Sequence, residues 1–376
     1  MNGIRGVNLG NWLVLEKWMD PTPFEGSGAE DETWLARSTP CLDLERILAK
    51  HRNSYVLEQD FERLAQLSIN LVRIPVPYFL FGDRPPHVGC VEHLDRAFDW
   101  AGRHGIKVLV DLHTVPGGQN GFDNGGITGV CKWHKDPAEV EFVLTVLERI
   151  ALRYGMRDEL FGIEVLNEPI SWFTYATASS TGTAVDTEEA KGSAFVPMAF
   201  LRHFYAQAYQ RLRPIMGPSK AIVFHDGFRI RRWKRFFHKA RMENVLLDTH
   251  VYLSSVESHL PLAHPLAYKA FLLARRRAIA RIQRDVPVLV GEWCICCKYA
   301  DRARRGPEQD RKYRLISRIE LDAWSNTAGW IYWSYQLSRD RKTPYPQSWK
   351  ESWDFCRCLQ KGWITQEMID QGVPRH

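Results

Sequence analysis

The sequence lacks any long apolar run and any marked excess of charge. No apolar stretch reaches the ~20 residues of a membrane-spanning helix, and residues 1–6 do not form a charged leader followed by an apolar run. The net charge is only +6, and the arginine clusters at 229–235, 275–277 and 302–305 have no nucleic-acid-binding module beside them. We therefore expect a cytoplasmic protein that binds neither membranes nor nucleic acids. The oligomeric state stays open.

The cysteines lack the spacings of a structural zinc site. The eight include the groups Cys294-x-Cys296-Cys297 and Cys356-x-Cys358, and neither has the C-x2-C spacing of common zinc ligands. We predict free thiols that act as small apolar residues, and we predict no metal and no cofactor.

Tryptophan, by contrast, is abundant: the chain has 14, and aromatic residues make up 12% of it. These rings fit either a Trp-rich core or a carbohydrate cleft in which a sugar's apolar face stacks on them. Composition leaves both interpretations open.

Eight apolar segments alternate with amphipathic helical segments along the whole chain. Near-continuous apolar character is typical of parallel strands that are buried on both faces. The predicted strands are 4–9, 71–75, 107–113, 162–169, 221–225, 245–250, 286–292 and 329–334. The predicted helices are 60–67, 91–104 with Gly105 as C-cap, 139–154, 196–212, 265–283 and 309–324. This order predicts an α/β fold, a (β/α)8 TIM barrel, with an open doubly wound sheet as the alternative.

We interpret residues 1–376 as one catalytic domain with elaborated loops at about 11–57 and 170–195. The Ser-, Thr- and Ala-rich stretch 172–194 is predicted to be a loop after the fourth strand. Polar or aromatic residues end nearly every strand, and in a barrel these ends meet at one mouth, where active sites lie. They are Asn8, Arg73, His113, Asn167 with Glu168, His250 with Tyr252, Glu292, and Trp333.

Two of these residues, Glu168 and Glu292, are carboxylates, and such a pair suits glycoside hydrolysis. One carboxyl protonates the leaving oxygen, and the other attacks the anomeric carbon or activates water; their separation decides between retention and inversion. We expect repulsion between the two to raise the pKa of the acid. Arg73 and Tyr252 are expected to keep the nucleophile ionised. Asn167 is a candidate donor to the sugar 2-hydroxyl.

The other strand-end residues have supporting roles in this hypothesis. His113 and His250 orient the carboxylates or the sugar, and Trp333 forms the floor of the sugar subsite. Two alternatives remain: a non-catalytic carbohydrate-binding barrel, and a metal-dependent hydrolase that uses His113, His134 and His250.

The motifs Leu166-Asn167-Glu168-Pro169 and Val290-Gly291-Glu292-Trp293 resemble the acid/base and nucleophile motifs of glycoside hydrolase family 5, a family of (β/α)8 retaining glycosidases. The other strand-end residues named above match further positions of that family. This resemblance implies that Glu168 is the acid/base, that Glu292 is the nucleophile, and that the enzyme retains anomeric configuration.

Residues 5–16 and 111–124 resemble the exo-β-1,3-glucanase branch of the family. The resemblance implies that Glu16, Asp123 and Asn124 face the terminal sugar and that Phe122 is half of an aromatic clamp. The branch's second clamp Phe is missing, because Leu253-Ser254-Ser255 follows Tyr252. We therefore expect a retaining exo-β-glycosidase that releases terminal β-glucose from a small oligosaccharide or glycoside. An exo-β-mannosidase is the alternative.

Overall fold

The computed structural model describes residues 3–177, 184–257 and 263–371. Eight parallel strands pair in chain order, and the last pairs with the first, so the sheet is a closed barrel. This confirms the predicted TIM barrel and excludes the open sheet. The strands are β1 (Ile4–Asn8), β2 (Leu71–Val76), β3 (Lys107–Leu112), β4 (Leu160–Glu164), β5 (Ala221–His225), β6 (Val245–His250), β7 (Val288–Trp293) and β8 (Gly329–Tyr332).

Helices surround the barrel, and the longer ones bury an apolar stripe against it. They are α1 (Glu32–Ser38), α2 (Cys41–Tyr55), α3 (Glu58–Gln66), α4 (Val91–His104), α5 (Pro137–Tyr154), α6 (Trp172–Thr177), α7 (Thr187–Ala190), α8 (Met198–Met216), α9 (Phe236–Lys239), α10 (Leu253–Val256), α11 (Pro265–Ile282), α12 (Lys298–Asp301), α13 (Pro307–Trp324), α14 (Phe355–Gln360) and α15 (Gln366–Gln371). Over the described ranges, no helix is both long enough and apolar enough to cross a bilayer.

Most predicted elements lie within a few residues of the observed ones. Gly105 ends α4 with φ 67°, a left-handed conformation that glycine adopts without strain. Two predictions were wrong in detail. Strand β4 ends at Glu164, so Glu168 lies on the loop beyond the strand. The stretch 172–194 is not simply a loop, because it contains α6 and α7; residues 178–183 lie outside the described part of the chain.

The inner face of the barrel changes from apolar to polar along the strand direction. Because side chains alternate in a strand, every second residue points inward. Apolar inner residues fill the bottom of the barrel: Ile4, Leu71, Leu109, Phe161, Ala221, Val223, Leu246, Leu289 and Ile331. Two residues further along, Arg73, Asp111 and Asp248 continue the inner positions of their strands. The upper barrel is therefore lined by charge.

A long segment after β1 brings Glu16 back to the barrel mouth. Leu15 belongs to a small apolar cluster with Phe24, α1 and α2. His51 Nε2 lies 2.6 Å from the carbonyl oxygen of Asn11, and Trp12 Nε1 donates to the carbonyl of Arg52 at 2.8 Å. These contacts hold the segment against α2. The eight cysteines are free thiols, and all but Cys41 are buried.

Candidate active site

Arg73 is fully buried and contacts residues from four other strand ends or loops. Its Nε donates to Glu164 Oε2 at 2.7 Å, and Nη2 donates to Asn167 Oδ1 at 2.9 Å. Nη1 donates to Glu292 Oε1 at 2.9 Å, and Nη2 lies 3.1 Å from Asp111 Oδ2. A buried guanidinium with this many fixed acceptors orients the carboxylates around it.

Glu292 is the last residue but one of β7 and has a donor on each oxygen. Arg73 occupies Oε1, and the Tyr252 hydroxyl donates to Oε2 at 2.6 Å. The preceding residue, Gly291, contacts Asn8 of β1 and Asp248 of β6, and its carbonyl accepts from Asn8 Nδ2 at 2.9 Å. Its N–H donates to Asp248 Oδ1 at 2.6 Å, and a Cβ at this position would lie 2.0 Å from Asp248 Oδ2. Only glycine therefore fits there, and this close contact fixes the backbone that presents Glu292.

Glu168 has a backbone conformation that is rare for a residue with a side chain. Its φ is 45°, in the left-handed region, and such conformations cluster at functional sites. His250 Nδ1 lies 2.8 Å from Glu168 Oε1, and Asn124 Nδ2 donates to Oε2 at 3.0 Å. Gln119 Nε2 donates to the carbonyl of Asn167 at 3.0 Å, which helps to hold the loop.

His250 lies between the two candidate catalytic carboxylates. Its Nδ1 is 2.8 Å from Glu168 Oε1 and 3.3 Å from Glu292 Oε2. The separation of these oxygens therefore cannot exceed the sum of the two distances. That sum is below the ~6.5–9.5 Å of inverting enzymes and allows the ~5–5.5 Å of retaining enzymes.

His250 favours its charged form, because Nε2 lies 3.2 Å from Asp248 Oδ2 and each ring nitrogen therefore faces a carboxylate. Burial alone would lower the pKa of His250, but Glu292 and Asp248 outweigh burial and raise it well above its usual value. Burial alone would raise the pKa of Glu168, but the hydrogen bond and charge of His250 lower it. Our prediction of a raised pKa for Glu168 is therefore wrong for the ligand-free site.

The pKa of Glu292 moves in the opposite direction. Burial raises it, against the lowering effect of His250 and Arg73. Repulsion from Glu168 adds to the rise. The sequence suggested repulsion between the two carboxylates but did not show that His250 lies between them as a cation. Because of His250, the pKa of Glu168 is lowered and that of Glu292 is raised, which is the reverse of the expected order.

His113 and Trp333 form a second wall of the site. His113 Nδ1 lies 2.6 Å from Asp111 Oδ2, and its Nε2 faces Asn167 Nδ2 at 3.4 Å. The His113 ring stacks on Trp333 with ring centroids 5.7 Å apart and an interplanar angle of 11°. Trp333, the predicted floor of the sugar subsite, therefore packs against His113, which was predicted to orient the carboxylates or the sugar.

Glu16 and Asp123 are buried carboxyls from two different loops. Burial and repulsion from Asp123 raise the pKa of Glu16 well above its usual range. Burial likewise raises the pKa of Asp123. Trp18 Nε1 donates to Glu16 Oε2 at 2.8 Å. Two carboxyls that keep protons readily can both donate to and accept from sugar hydroxyls.

Aromatic rings continue from this carboxyl pair to the nucleophile. Trp353 lies edge-on to Trp18 at 5.3 Å and is tilted over Tyr252 at 5.0 Å. Phe122 is half-buried beside Asp123. Sequence reasoning missed Trp18 and Trp353. The position of Trp18, two residues after Glu16, is the one sequence signal that would have drawn attention to it.

Asp111, Glu164 and Asp248 were also missed as parts of the site. Each is a charged residue inside an apolar strand, where an unpaired charge is costly. Asp111 and Asp248 each stand two residues before a site histidine, so strand periodicity places both members of each pair on the same inner face. This Asp-x-His spacing was visible in the sequence.

The alternative metal centre needs three histidines that the described residues do not bring together. His113 is bonded to Asp111 and His250 to Glu168 and Asp248, whereas the His134 ring lies beside Phe200. Of the predicted site residues, Arg73, Tyr252, His250 and Asn124 contact one of the two carboxylates directly.

Sequence comparison places the chain among known glycosidases. A family model described as Cellulase (glycosyl hydrolase family 5) matches residues 36–338. A probable glucan 1,3-beta-glucosidase A of Aspergillus niger is 31% identical over 89% of this chain and 82% of that protein. A glucan 1,3-beta-glucosidase of Candida oleophila is 30% identical over 99% of this chain and 90% of that protein.

Structure comparison finds the same fold. The crystal structure of rutinosidase from Aspergillus niger has a TM-score of 0.76 and 21% identity, and the match covers 97% of this chain and 98% of that one. The crystal structure of a chain named AoRut gives a TM-score of 0.74 at 21% identity, with 97% of each chain covered. At this identity the match supports the fold alone.

Proposed function

The chain belongs to glycosyl hydrolase family 5 and is a glycoside hydrolase, and on that premise we propose that it is a retaining exo-β-glucosidase. It releases terminal β-linked glucose from an oligosaccharide or glycoside by double displacement. The observation that carries this proposal is the pair Glu168 and Glu292, which share His250 at 2.8 and 3.3 Å. The relatives named glucan 1,3-beta-glucosidases support glucose as the sugar released.

In the first step a Glu292 oxygen attacks the anomeric carbon. The bond from that carbon to the leaving oxygen breaks, and the Glu168 proton moves to the leaving oxygen. Arg73 and Tyr252 each donate a hydrogen bond to Glu292. These two donors favour the ionised form and hold the carboxylate in a fixed orientation before substrate arrives.

In the second step Glu168 is the base. Its carboxylate takes a proton from water, the water oxygen attacks the anomeric carbon, and the ester bond to Glu292 breaks. The site favours this ionised form, because His250 lowers the pKa of Glu168. Formation of the ester removes the negative charge of Glu292, which further favours ionised Glu168.

The acid form of Glu168 needs an opposing influence before the first step. Burial already acts to raise the pKa of Glu168, and a bound sugar deepens that burial by covering the carboxyl. The ionised Glu292 beside it acts in the same direction. Substrate binding therefore shifts Glu168 toward the protonated form that the first step requires.

Exo action is supported by the side chains on one side of the site. Glu16 and Asp123 are available there as partners for sugar hydroxyls, and Trp18 and Trp353 form an aromatic wall from Glu16 to Tyr252. We expect this wall to exclude a preceding sugar residue, so that cleavage occurs one residue from the chain end.

The proposal is tested with aryl β-glycosides. The wild-type enzyme is expected to turn over the aryl β-glucoside faster than the β-mannoside, and the reverse order would favour the mannosidase alternative. Glu292→Gln is expected to abolish turnover, whereas Glu159→Gln on the outer surface serves as the matched control. Glu168→Ala with azide is expected to give the β-glucosyl azide, and an α product would rule out retention.

A further inference from the structure

His225 is a buried histidine at the end of β5, and neither the sequence hypothesis nor the reaction steps above assign it a role. Two contacts fix it in place. The Tyr205 hydroxyl donates to the His225 carbonyl at 2.7 Å, and the Gly227 N–H donates to Nδ1 at 3.0 Å. Because Nδ1 accepts a hydrogen bond, the ring proton of neutral His225 is on Nε2.

The Nε2–H of His225 is a buried donor that has no hydrogen-bond partner among the residues the structure describes. An unpaired buried donor costs free energy, and such groups are uncommon in folded proteins. The donor lies beside the acid/base. A ring nitrogen of His225, a carboxylate oxygen of Glu168 and a ring nitrogen of His250 are all within 4.8 Å of one another.

The charges around His225 keep it neutral. Burial lowers its pKa well below the usual value, and the nearby His250, Arg73 and Arg229 lower it further. The acidic groups around His225 are Glu168 on the loop after β4, Asp226 next in its own chain, and Asp248 on β6, the register partner of His225. Asp226 accepts hydrogen bonds from Thr249 and from the Phe228 N–H.

The two histidines therefore offer Glu168 two different donors. The rings of His225 and His250 pack edge-on, with centroids 4.4 Å apart and an interplanar angle of 67°. His250 is a cation and stabilises the ionised carboxylate. His225 is a neutral donor and lacks that electrostatic preference. A carboxyl oxygen of Glu168 lies within 4.8 Å of a His225 ring nitrogen, so a shift of at most about 2 Å brings it into the ~2.9 Å range of an N–H···O bond.

We propose that His225 is a positioning residue for Glu168. When the Glu168 side chain is protonated, one carboxyl oxygen carries the proton for the leaving oxygen, and the other accepts a hydrogen bond from the His225 Nε2–H. When the proton has left, the carboxylate returns to His250. The inference rests on the proposed function for the role of Glu168. His225 thereby gives protonated Glu168 a hydrogen-bond donor, which the contact with His250 alone does not provide.

The first test is an ¹⁵N NMR titration of wild-type enzyme labelled at histidine, which needs no turnover. His225 is expected to keep the Nε2–H form between about pH 5 and 8, where free imidazole would titrate. Its N–H proton signal is expected to move when a 2-deoxy-2-fluoro-glucosyl group is trapped on Glu292. An Nδ1–H form, or a protonated ring in that range, would overturn the proposal.

The second test compares His225→Leu with His225→Gln on two aryl β-glucosides. His225→Leu is expected to lower kcat/KM about tenfold for phenyl glucoside, whose leaving group needs the proton. The alkaline limb of its pH profile of kcat/KM is expected to move to lower pH, because protonated Glu168 loses a hydrogen-bond donor. The 2,4-dinitrophenyl glucoside, which leaves without a proton, is expected to react normally in glycosylation. His225→Gln, which keeps an N–H donor, is expected to recover most of the loss.

His93→Leu is the matched control, because His93 is another histidine with a lowered pKa and unpaired ring nitrogens, on the outer helix α4. It is expected to leave the pH profile unchanged. Equal losses on both substrates with an unmoved alkaline limb would mean that His225 only packs. If His225→Leu does not fold, the NMR titration of the wild type decides. If the wild type cleaves neither glucoside, the proposed function fails, while the ring form can still be measured.

Discussion

Replacing Tyr252 by Phe removes one hydroxyl and leaves the ring in place. That hydroxyl donates to Glu292 Oε2 at 2.6 Å. A hydrogen bond to a charged group contributes ~1.5–3 kcal/mol, and one pKa unit corresponds to ~1.36 kcal/mol. Loss of the bond is therefore expected to raise the pKa of Glu292 by about 1–2 units, in the same direction as the rise that burial already causes.

The assay is the pH dependence of kcat/KM for an aryl β-glucoside. The acidic limb reports protonation of the nucleophile in the free enzyme. Because the Tyr252→Phe change makes ionised Glu292 less favourable, this limb is expected to move to higher pH by about 1–2 units. At pH values above the shifted limb the variant regains its ionised nucleophile.

Tyr154→Phe is the matched control for this experiment. Tyr154 also donates to a carboxylate, Asp95 Oδ1 at 2.7 Å, but between α5 and α4 on the outside of the barrel. It is expected to leave the limb unmoved. A limb that stays in place in Tyr252→Phe, or moves to lower pH, would refute the assignment of Tyr252 as the donor that keeps Glu292 ionised.

Three further changes test the same network. Arg73→Met removes the cation from a group of buried carboxylates and is expected to lower the free energy of unfolding, measured in urea, by ~3–5 kcal/mol. Arg153→Met removes one partner of a half-exposed ion pair and is expected to lower it far less. Equal losses in the two variants would contradict this reasoning. Gly291→Ala places a Cβ 2.0 Å from an Asp248 oxygen and is expected to lose most aryl-glucoside turnover, so normal turnover would show that the contact is not required. Folding raises the pKa of His250, so the contribution of His250 to stability is complete below about pH 6.5 and is lost as pH rises through its pKa in the folded state. The free energy of unfolding of His250→Gln, measured in urea, is expected to lack this decline with pH. The same pH dependence in variant and wild type would argue against a charged His250.

Much of the fold could be predicted because strand and helix periodicity are local properties. The helix at Val91–His104 and the strands at Ala221–His225 and Val245–His250 match their predicted bounds. Helix α8 runs on to Met216 through Pro214, although the prediction stopped at residue 212. A proline in the last turn removes only one backbone hydrogen bond, so packing of the helix outweighs it.

The candidate site could be predicted only in part. Residues at successive strand ends were identifiable because a barrel gathers them at one mouth, and the structure brings Glu168 and Glu292 within reach of one histidine. The Asp-x-His pairs were present in the sequence but were not recognised. Trp353 was missed because it lies far along the chain from Trp18, and only folding brings the two rings into edge-on contact.

The sequence by itself determined the order of strands and helices and the chemical groups at each strand end. These follow from the spacing of apolar residues and from the short range of strand periodicity. Only the tertiary structure decided that the sheet closes, that the two carboxylates are close enough for retention, and that a charged His250 lies between them. Those properties depend on distances between residues far apart in the chain. The pKa of Glu168, in particular, is raised by burial, but the His250 that folding places at its side lowers it overall.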